Sequence, residues 1–266
     1  MKIIKVKAEH NYQVEIGVEF SSVIKQICNN HRKVLLLAPA SLIKLFKIKE
    51  SKNLFLLPTP NGESQKSAQF LDRIWRKAAF IGLERSDAII GFGGGATTDV
   101  AGFAAATWLR GISWYAIPTS LAGMVDAGIG GKTGINSGAG KNLIGSFYSP
   151  KKVFIDPHFL ESLPKRDISA GMAEVIKCGF IADYKILNLV QEDILDYPQL
   201  ISRAVKVKAD VVSKDFKESK LREILNYGHT LGHAIEKDSK YKLRHGEAVS
   251  IGMVFAAELS KELINL

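Results

Sequence analysis

Along the first 160 residues the apolar positions alternate between two rhythms. KVLLLAP (33–39) is an unbroken apolar run of strand length, and the helical-looking SLIKLFKIKE follows it. NLFLLPTP (53–60) is the next strand, SDAIIGFGGG (86–95) a third that runs into glycines, and SWYAIPTS (113–120) a fourth. Between them, ESQKSAQFLDRIWRKAAFIGL sets Phe70, Ile74, Trp75, Ala78 and Ile81 at helical spacing. The N-terminal MKIIKVKAEHNYQVEIG alternates as a strand does. Strands alternating with helices predict a Rossmann-like α/β domain, a mainly parallel sheet with helices on its faces.

After VFIDPHFLESLPKRD (153–167) the rhythm changes. From ISAGMAEVIKCGFIADYKILNLV onward the period is helical, with almost no strand-like alternation, and Pro157 and Pro164 punctuate the switch. The expected organisation is an α/β domain over residues 1–160 and an all-α domain over 161–266. The cleft between them is the expected site, since pockets favour domain junctions. No internal repeat or low-complexity tract interrupts either part.

Composition changes this picture little. The chain is 46% hydrophobic and 24% charged, ordinary for a soluble globular protein. No window approaches 18 uninterrupted apolar residues, and the N-terminus lacks the apolar block of a signal peptide. Two cysteines, Cys28 and Cys178, stand in no pairing motif, which favours a reducing cytoplasm. The formal net charge of +9 admits a solvated surface, a nucleic-acid partner or an anionic small substrate. A nucleic-acid role calls for a basic stripe with interleaved aromatics or arginines, and the basic residues are scattered.

Candidate chemistry lies in three stretches. DAIIGFGGGATTDVAGFAAATWLRG contains Gly91-x-Gly93-x-x-Ala96, a relaxed dinucleotide fingerprint whose glycines admit a pyrophosphate to backbone N–H groups. The same spacing also reads as a tight strand–helix turn that needs positive φ. Asp99 is then a helix-turn acid or a group on the nicotinamide side. The second stretch, PTSLAGMVDAGIGGKTGINSGAGKNLIGSFYSP (118–150), sets Asp126, Lys132, Lys141 and Asn142 on a glycine scaffold. That pattern suits a folded anion-binding loop better than a linker or a solvated surface loop.

The third stretch, GHTLGHAIE (228–236), sets His229 and His233 four apart on one helical face, with His245 following in RHGEAVSIG. GMAEVIK (171–177) offers Glu174 and Lys177 on one face. A catalytic zinc site takes three N or O ligands and leaves a position for substrate. Spacing alone selects His229, His233 and one of His245 or Glu174, and it does not decide between the last two.

Together GGGATTDVAGFAAATWLRG, DAGIGGKTGIN, GKNLIGSFY, AGMAEVIKCG, LREILNYGHTLGHAIE and HGEAVSIGM resemble the 3-dehydroquinate synthase family of sugar-phosphate cyclases, over nearly the whole chain from about residue 54. The resemblance implies a cytoplasmic homodimer with one NAD and one divalent metal, Zn2+ or Co2+, per subunit. It implies metal ligands at Glu174, His229 and His245, and moves His233 to the substrate side as a proton-handling residue. Cofactor contacts fall on Glu63, Lys66, Gly93, Gly94, Gly95, Asp99, Thr119 and Ser120. Substrate groups fall on Asp126, Lys132, Lys141, Asn142, Lys177, Lys208, Arg222 and Asn226, of which Asp126, Lys132 and Lys141 also border the cofactor. Arg110 matches an arginine that reaches the phosphate held by the neighbouring subunit.

The implied reaction converts 3-deoxy-D-arabino-heptulosonate 7-phosphate to 3-dehydroquinate and phosphate through transient oxidation, elimination, reduction and an intramolecular aldol step. Two departures from the family pattern stand out. Pro39 and Ala40 occupy the place of an acid that contacts the cofactor ribose, which implies a weaker NAD contact there. Family members also continue for several helices beyond this point, with a substrate-binding lysine among them. The resemblance therefore implies an incomplete helical domain and an exposed apolar patch on the HGEAVSIGMVFAAEL helix. Other sugar-phosphate cyclases, and an inactive remnant that still binds nucleotide, are the alternatives.

Overall fold

The computed structural model describes residues 1–264. Seven strands form one sheet: β1 (Lys2–Val6), β2 (Tyr12–Ile16), β3 (Val34–Pro39), β4 (Leu54–Thr59), β5 (Ala88–Gly93), β6 (Ser113–Pro118) and, after the hairpin described below, β9 (Lys152–Ile155). Their order is β1-β2-β9-β6-β5-β3-β4, and every pair is parallel except β1 with β2. The central strands read as continuous apolar runs because both faces are covered. Leu35, Leu36, Leu37, Ile89 and Ile90 are all fully buried. The N-terminal alternation is two strands rather than one, an antiparallel hairpin at the sheet edge.

Four helices accompany these strands: α1 (Phe20–Asn30), α2 (Ala40–Leu45), α3 (Ala68–Phe80) and α4 (Gly95–Thr107). In α3 the Ser67 hydroxyl caps the N-terminus by accepting from the Phe70 N–H at 3.2 Å, and Phe70, Leu71, Ile74 and Ala78 turn inward. The helix expected over SLIKLFKIKE stops at Leu45, because Lys47 takes a left-handed backbone with φ 49°. β3 leads outward to β4, whereas β5 leads the other way to β6. The C-terminal ends of β3 and β5 therefore bracket a topological switch point, where open α/β sheets hold their ligands.

The glycine-rich segment 118–150 is ordered. It forms a π-turn at Gly123–Ala127 and then an antiparallel hairpin of β7 (Lys132–Ser137) and β8 (Gly140–Phe147). Beyond β9 the described residues hold helices only: α5 (Lys165–Ile181), α6 (Lys185–Leu189), α7 (Tyr197–Lys214), α8 (His229–Asp238) and α9 (His245–Ile264), with a 3-10 turn at Leu221–Asn226 before α8. Asp196 caps α7 by accepting from the Gln199 N–H at 2.9 Å. Leu200, Ile201, Ala204, Val205 and Val212 of α7 join the sheet in one continuous core. A smaller apolar cluster of Ala173, Val249 and Met253 forms where α5 meets α9.

The outer side of α9 carries exposed apolar residues, among them Ile251, Val254, Phe255 and Leu259. No described helix is long and apolar enough to cross a membrane.

Candidate active site

The glycine turn joins β5 to α4 at the switch point. None of Gly91, Gly93, Gly94 and Gly95 has positive φ, so the turn does not need glycine for a left-handed backbone. It needs glycine for space. A Cβ on Gly93 would fall 2.5 Å from the Thr97 hydroxyl, one on Gly95 2.8 Å from the Ala127 Cβ, and one on Gly91 2.8 Å from the Ala101 Cβ. No side chain caps the first N–H groups of α4, which leaves them for an anion. The buried Thr119 donates its N–H to the Gly93 carbonyl at 2.8 Å, which ties the end of β6 to the turn. Pro39 reaches the same place from β3, its Cδ 3.1 Å from the Cβ position of Gly93.

A second constellation lies in the helical part. Glu174 on α5, His229 at the start of α8 and His245 at the start of α9 bring one ligand atom each within 4.8 Å of the others. His245 Nε2 is 3.4 Å from Glu174 Oε1, and His229 Nε2 is 3.8 Å from the same oxygen. The first is at the long limit of a hydrogen bond and the second is beyond it. They are close to the roughly 3.4 Å that separates two tetrahedral ligands each about 2.1 Å from an ion. Glu174 is almost wholly buried, and neither carboxylate oxygen has a well-formed hydrogen bond, although the Lys177 ammonium lies against Oε2. A buried carboxylate left in that state suits a cation held beside two imidazoles. His233 is exposed, with its ring 5.3 Å from His229 and 5.8 Å from His245. It belongs to a second possible cluster with Glu236 and His245, so the His229–His233 pair favoured by spacing alone is not the pair that closes on Glu174.

Glycines close these helices on each other. A Cβ on Gly246 would fall 1.8 Å from the Ala170 carbonyl oxygen, and one on Gly252 2.0 Å from the Gly228 oxygen. Backbone contact of α9 with α5 and with the entry to α8 is what sets the three candidate ligands together. Gly228 itself has φ 78°, a left-handed turn that starts α8.

Between the two constellations lie the polar groups of the hairpin, α7 and the 3-10 turn. A cavity of about 510 Å³ is lined by Asp99, Asp126, Lys132, Asn142, Lys208 and Arg222 among others. A second, of about 590 Å³, shares Asp99, Asp126 and Asn142 with it and runs from Glu63, Lys66, Gly95 and Ser120 to Lys141, His233 and His245. Lys66 donates to Asp99 at 2.5 Å and to the Asn142 side chain. Lys208, on the apolar face of α7, donates to the Asp126 carbonyl at 2.6 Å and also to its carboxylate. Lys132 pairs with Glu218, and Lys141 with Glu236 at 3.2 Å. Arg222 is buried, donating to the carbonyls of Gly130 at 3.1 Å and Phe216 at 2.5 Å.

This crowding sets the charges. Burial raises the Asp99 carboxyl to about 6 against the opposing pull of Lys66. Burial would raise Asp126 too, but Lys208 and Lys177 outweigh it and hold that carboxyl well below the usual range. Burial and the nearby Lys177 lower His229 to about 4, so it stands as a neutral imidazole with a free lone pair. His233 is lowered by burial and by His245.

Two expected residues stand outside this group. Asn226 donates to Glu218 at 3.1 Å and lines a separate groove of about 1260 Å³ beside Phe180, Tyr227 and Ala256. Arg110 is exposed, with φ 64°, and borders neither cavity of the cleft. Conversely, sequence reasoning passed over Glu236, Glu218 and Asn136. Glu236 was findable, because it lies seven residues after His229 and so on the same face of α8. Asn136 donates to Glu63 at 2.9 Å and accepts from the Asn142 N–H at 2.9 Å, a link that only the folded hairpin makes.

Comparisons with known proteins fit this arrangement. The family model for the 3-dehydroquinate synthase N-terminal part matches residues 56–170, and that for the C-terminal part matches residues 171–266. A 3-dehydroquinate synthase of Mycobacterium leprae (strain TN) is 50% identical over an alignment of 272 positions that covers 97% of this chain and 75% of that protein. Among solved structures, a 2-deoxy-scyllo-inosose synthase complexed with carbaglucose-6-phosphate, NAD+ and Co2+ is 26% identical with a TM-score of 0.84, over 99% of this chain and 78% of that one. A 2-epi-5-epi-valiolone synthase from Streptomyces hygroscopicus subsp. jinggangensis 5008, with NAD+ and Zn2+ bound, is 26% identical with a TM-score of 0.82, over 94% of this chain and 74% of that one. With both family models matched end to end from residue 56 and half of all positions shared with a curated relative, this chain belongs to the 3-dehydroquinate synthase family.

Proposed function

We propose that this protein converts 3-deoxy-D-arabino-heptulosonate 7-phosphate to 3-dehydroquinate and phosphate, with NAD and Zn2+ or Co2+ as cofactors. One observation carries the reading. A single cavity of about 590 Å³ has the glycine turn and Ser120 on one wall and His233 and His245 on another. NAD bound there would supply reversible hydride transfer at a secondary alcohol, and the ion would supply Lewis-acid polarisation of that alcohol.

Glu174, His229 and His245 would hold the ion. Glu63, Lys66, Gly93, Gly94, Gly95, Asp99, Thr119 and Ser120 would hold the cofactor on the 1–160 side. Lys141 and Asn142 bind the substrate phosphate, and Arg222 with Lys132 its carboxylate, since cations at opposite ends of a cleft fix a dianionic ester and an acid in one register. Lys177, Lys208 and Asp126 align the hydroxyls between them. His233, which burial and the nearby His245 bias toward the neutral form, accepts and returns a proton at its ring nitrogen. Orientation supplies much of the rate, because elimination and ring closure are both intramolecular events of a held substrate. We assign Arg110 to the phosphate of a second copy, which makes the working unit a homodimer. The two unpaired cysteines suit a reducing cytoplasm.

The test is direct. Purified protein is incubated with the heptulosonate phosphate, NAD and Zn2+, and phosphate and NADH are both followed. Phosphate release with no build-up of NADH is the expected result. Steady NADH production, or no phosphate at all from metal-loaded protein with bound NAD, sinks the proposal.

A further inference from the structure

We infer that Glu236 is a positioning residue that orients His245 toward the metal and, with its other oxygen, holds Lys141 across the cleft. The inference rests on the reading of Glu174, His229 and His245 as the metal ligands. Glu236 is buried, only 5% exposed, on the face of α8 that also carries His229. Its Oε2 lies 3.0 Å from His245 Nδ1, and its Oε1 accepts from Lys141 Nζ at 3.2 Å. Lys141 is fixed from its other side by the Tyr241 ring, whose centroid is 3.9 Å from the ammonium nitrogen.

The chemistry of an imidazole makes this arrangement directional. A carboxylate only accepts hydrogen bonds, so the His245 Nδ1 facing Glu236 must carry the proton. Nε2, which faces Glu174, is then the nitrogen left for an ion, which binds there in place of a proton. Without Glu236 the ring is free to adopt the other tautomer or to turn, and the site loses a prepaid orientation. The carboxylate has no oxygen to spare. Were Glu236 instead a ligand with His233 and His245, an ion would have to break the Oε2–Nδ1 bond and use the nitrogen of His245 that points away from Glu174. The same carboxylate also reaches a lysine 95 positions away in sequence, so the lysine loop and the ion site are set by one group.

Metal-free protein and its Glu236→Ala, Glu236→Gln and Lys141→Met variants are titrated with Zn2+ by calorimetry and with Co2+ by visible absorption. The expected result is a 10–100-fold loss of metal affinity for Glu236→Ala, the range usual for an outer-shell carboxylate. A smaller loss is expected for Glu236→Gln, whose amide oxygen still accepts from Nδ1–H, together with a shifted Co2+ spectrum. Lys141→Met is expected to keep metal affinity within about twofold of the parent, because it touches the ion site only through Glu236. Thermal unfolding of the metal-free forms checks that each variant is folded, and the near-isosteric Glu236→Gln carries the test should the alanine variant fail. Parent-like affinity and spectrum in the folded Glu236 variants would overturn the inference while leaving the metal site intact. Equal loss in His233→Ala and Glu236→Ala with none in Glu174→Gln would also overturn it, by making Glu236 a ligand. Parent protein that binds no ion at all would instead remove the metal-site reading beneath it.

Discussion

Gly246 sits against the backbone of Ala170, so near that a Cβ would lie 1.8 Å from the Ala170 carbonyl oxygen. Gly246 follows His245, and Ala170 lies one turn before Glu174. The contact therefore fixes the distance between two of the three candidate ligands. It is a backbone-to-backbone approach, with no flexible side chain to yield.

Gly246→Ala should accordingly force α9 away from α5. Overpacking of this kind costs about 1–3 kcal/mol, measurable by denaturant unfolding of metal-free protein. It should also weaken Zn2+ binding by widening the His245–Glu174 gap from 3.4 Å. Gly102→Ala is the matched comparison. Its Cβ would fall 2.4 Å from Thr133 Cγ2, so stability should fall similarly, but α4 and β7 are not the ligand helices. Metal affinity unchanged in both variants would show that the helix crossing does not govern the site.

The ligand set makes its own prediction. His229→Ala and Glu174→Gln should lower metal content per chain, read by elemental analysis after dialysis. His233→Ala should keep its metal and lose turnover, because His233 is exposed and stands on the cavity side of the cluster. Equal metal loss from His229→Ala and His233→Ala would move the site onto the two-histidine face of α8.

Much of this was legible in the sequence where the signal was local. The apolar runs over β3, β4, β5 and β6 show at both faces of a buried sheet, and the switch to helices after residue 160 shows as a change of period. What failed either leaves no periodic signal or is non-local. α2 is short because one residue, Lys47, leaves the helical region, which no periodicity signals. The hairpin of β7 and β8 hides in glycine, whose missing side chains erase the period-2 pattern. The candidate metal ligands were undecided by spacing because spacing sees His229 and His233 on one helix. Whether Glu174 instead closes on His229 and His245 depends on how α5 meets α9, and that depends on Gly246. Lys208 could be seen as a cation inside an apolar stripe, but its partner Asp126 is 82 residues away.

The end of β5 tests how firmly the sheet holds the cofactor side. Phe92 immediately precedes the glycine turn and is fully buried, stacked on Phe20 at 4.3 Å between ring centroids. Phe46 and Phe159 meet it at 5.6 and 5.4 Å. Phe92→Ala should cost about 3–5 kcal/mol in denaturant unfolding, as large aromatic truncations in cores do. Nucleotide binding to the folded fraction should weaken as well, because Gly93 loses the anchor behind it. Binding that survives at parent strength would mean that the turn is held by Thr97 and Thr119 rather than by the aromatic cluster.

The last prediction concerns acid. The Asp215 carboxylate accepts from the backbone N–H groups of Ser219 at 2.9 Å, Lys220 at 2.9 Å and Arg222 at 3.0 Å. Those bonds, that from Ser219 foremost, hold its carboxyl well below the usual carboxylate range. A carboxyl depressed in the folded state stabilises above its unfolded value of about 3.9, and that contribution is lost as pH falls further toward the folded value. Wild type and Asp215→Asn should therefore differ in unfolding temperature by a constant amount from pH 7 to about pH 5, and the gap should close below about pH 4. Because the same bonds fix the turn that carries Arg222, the variant should also raise KM for the substrate more than it lowers kcat. A gap that stays constant down to pH 3, or one that widens there, would mean that the carboxylate charge is not what holds this turn.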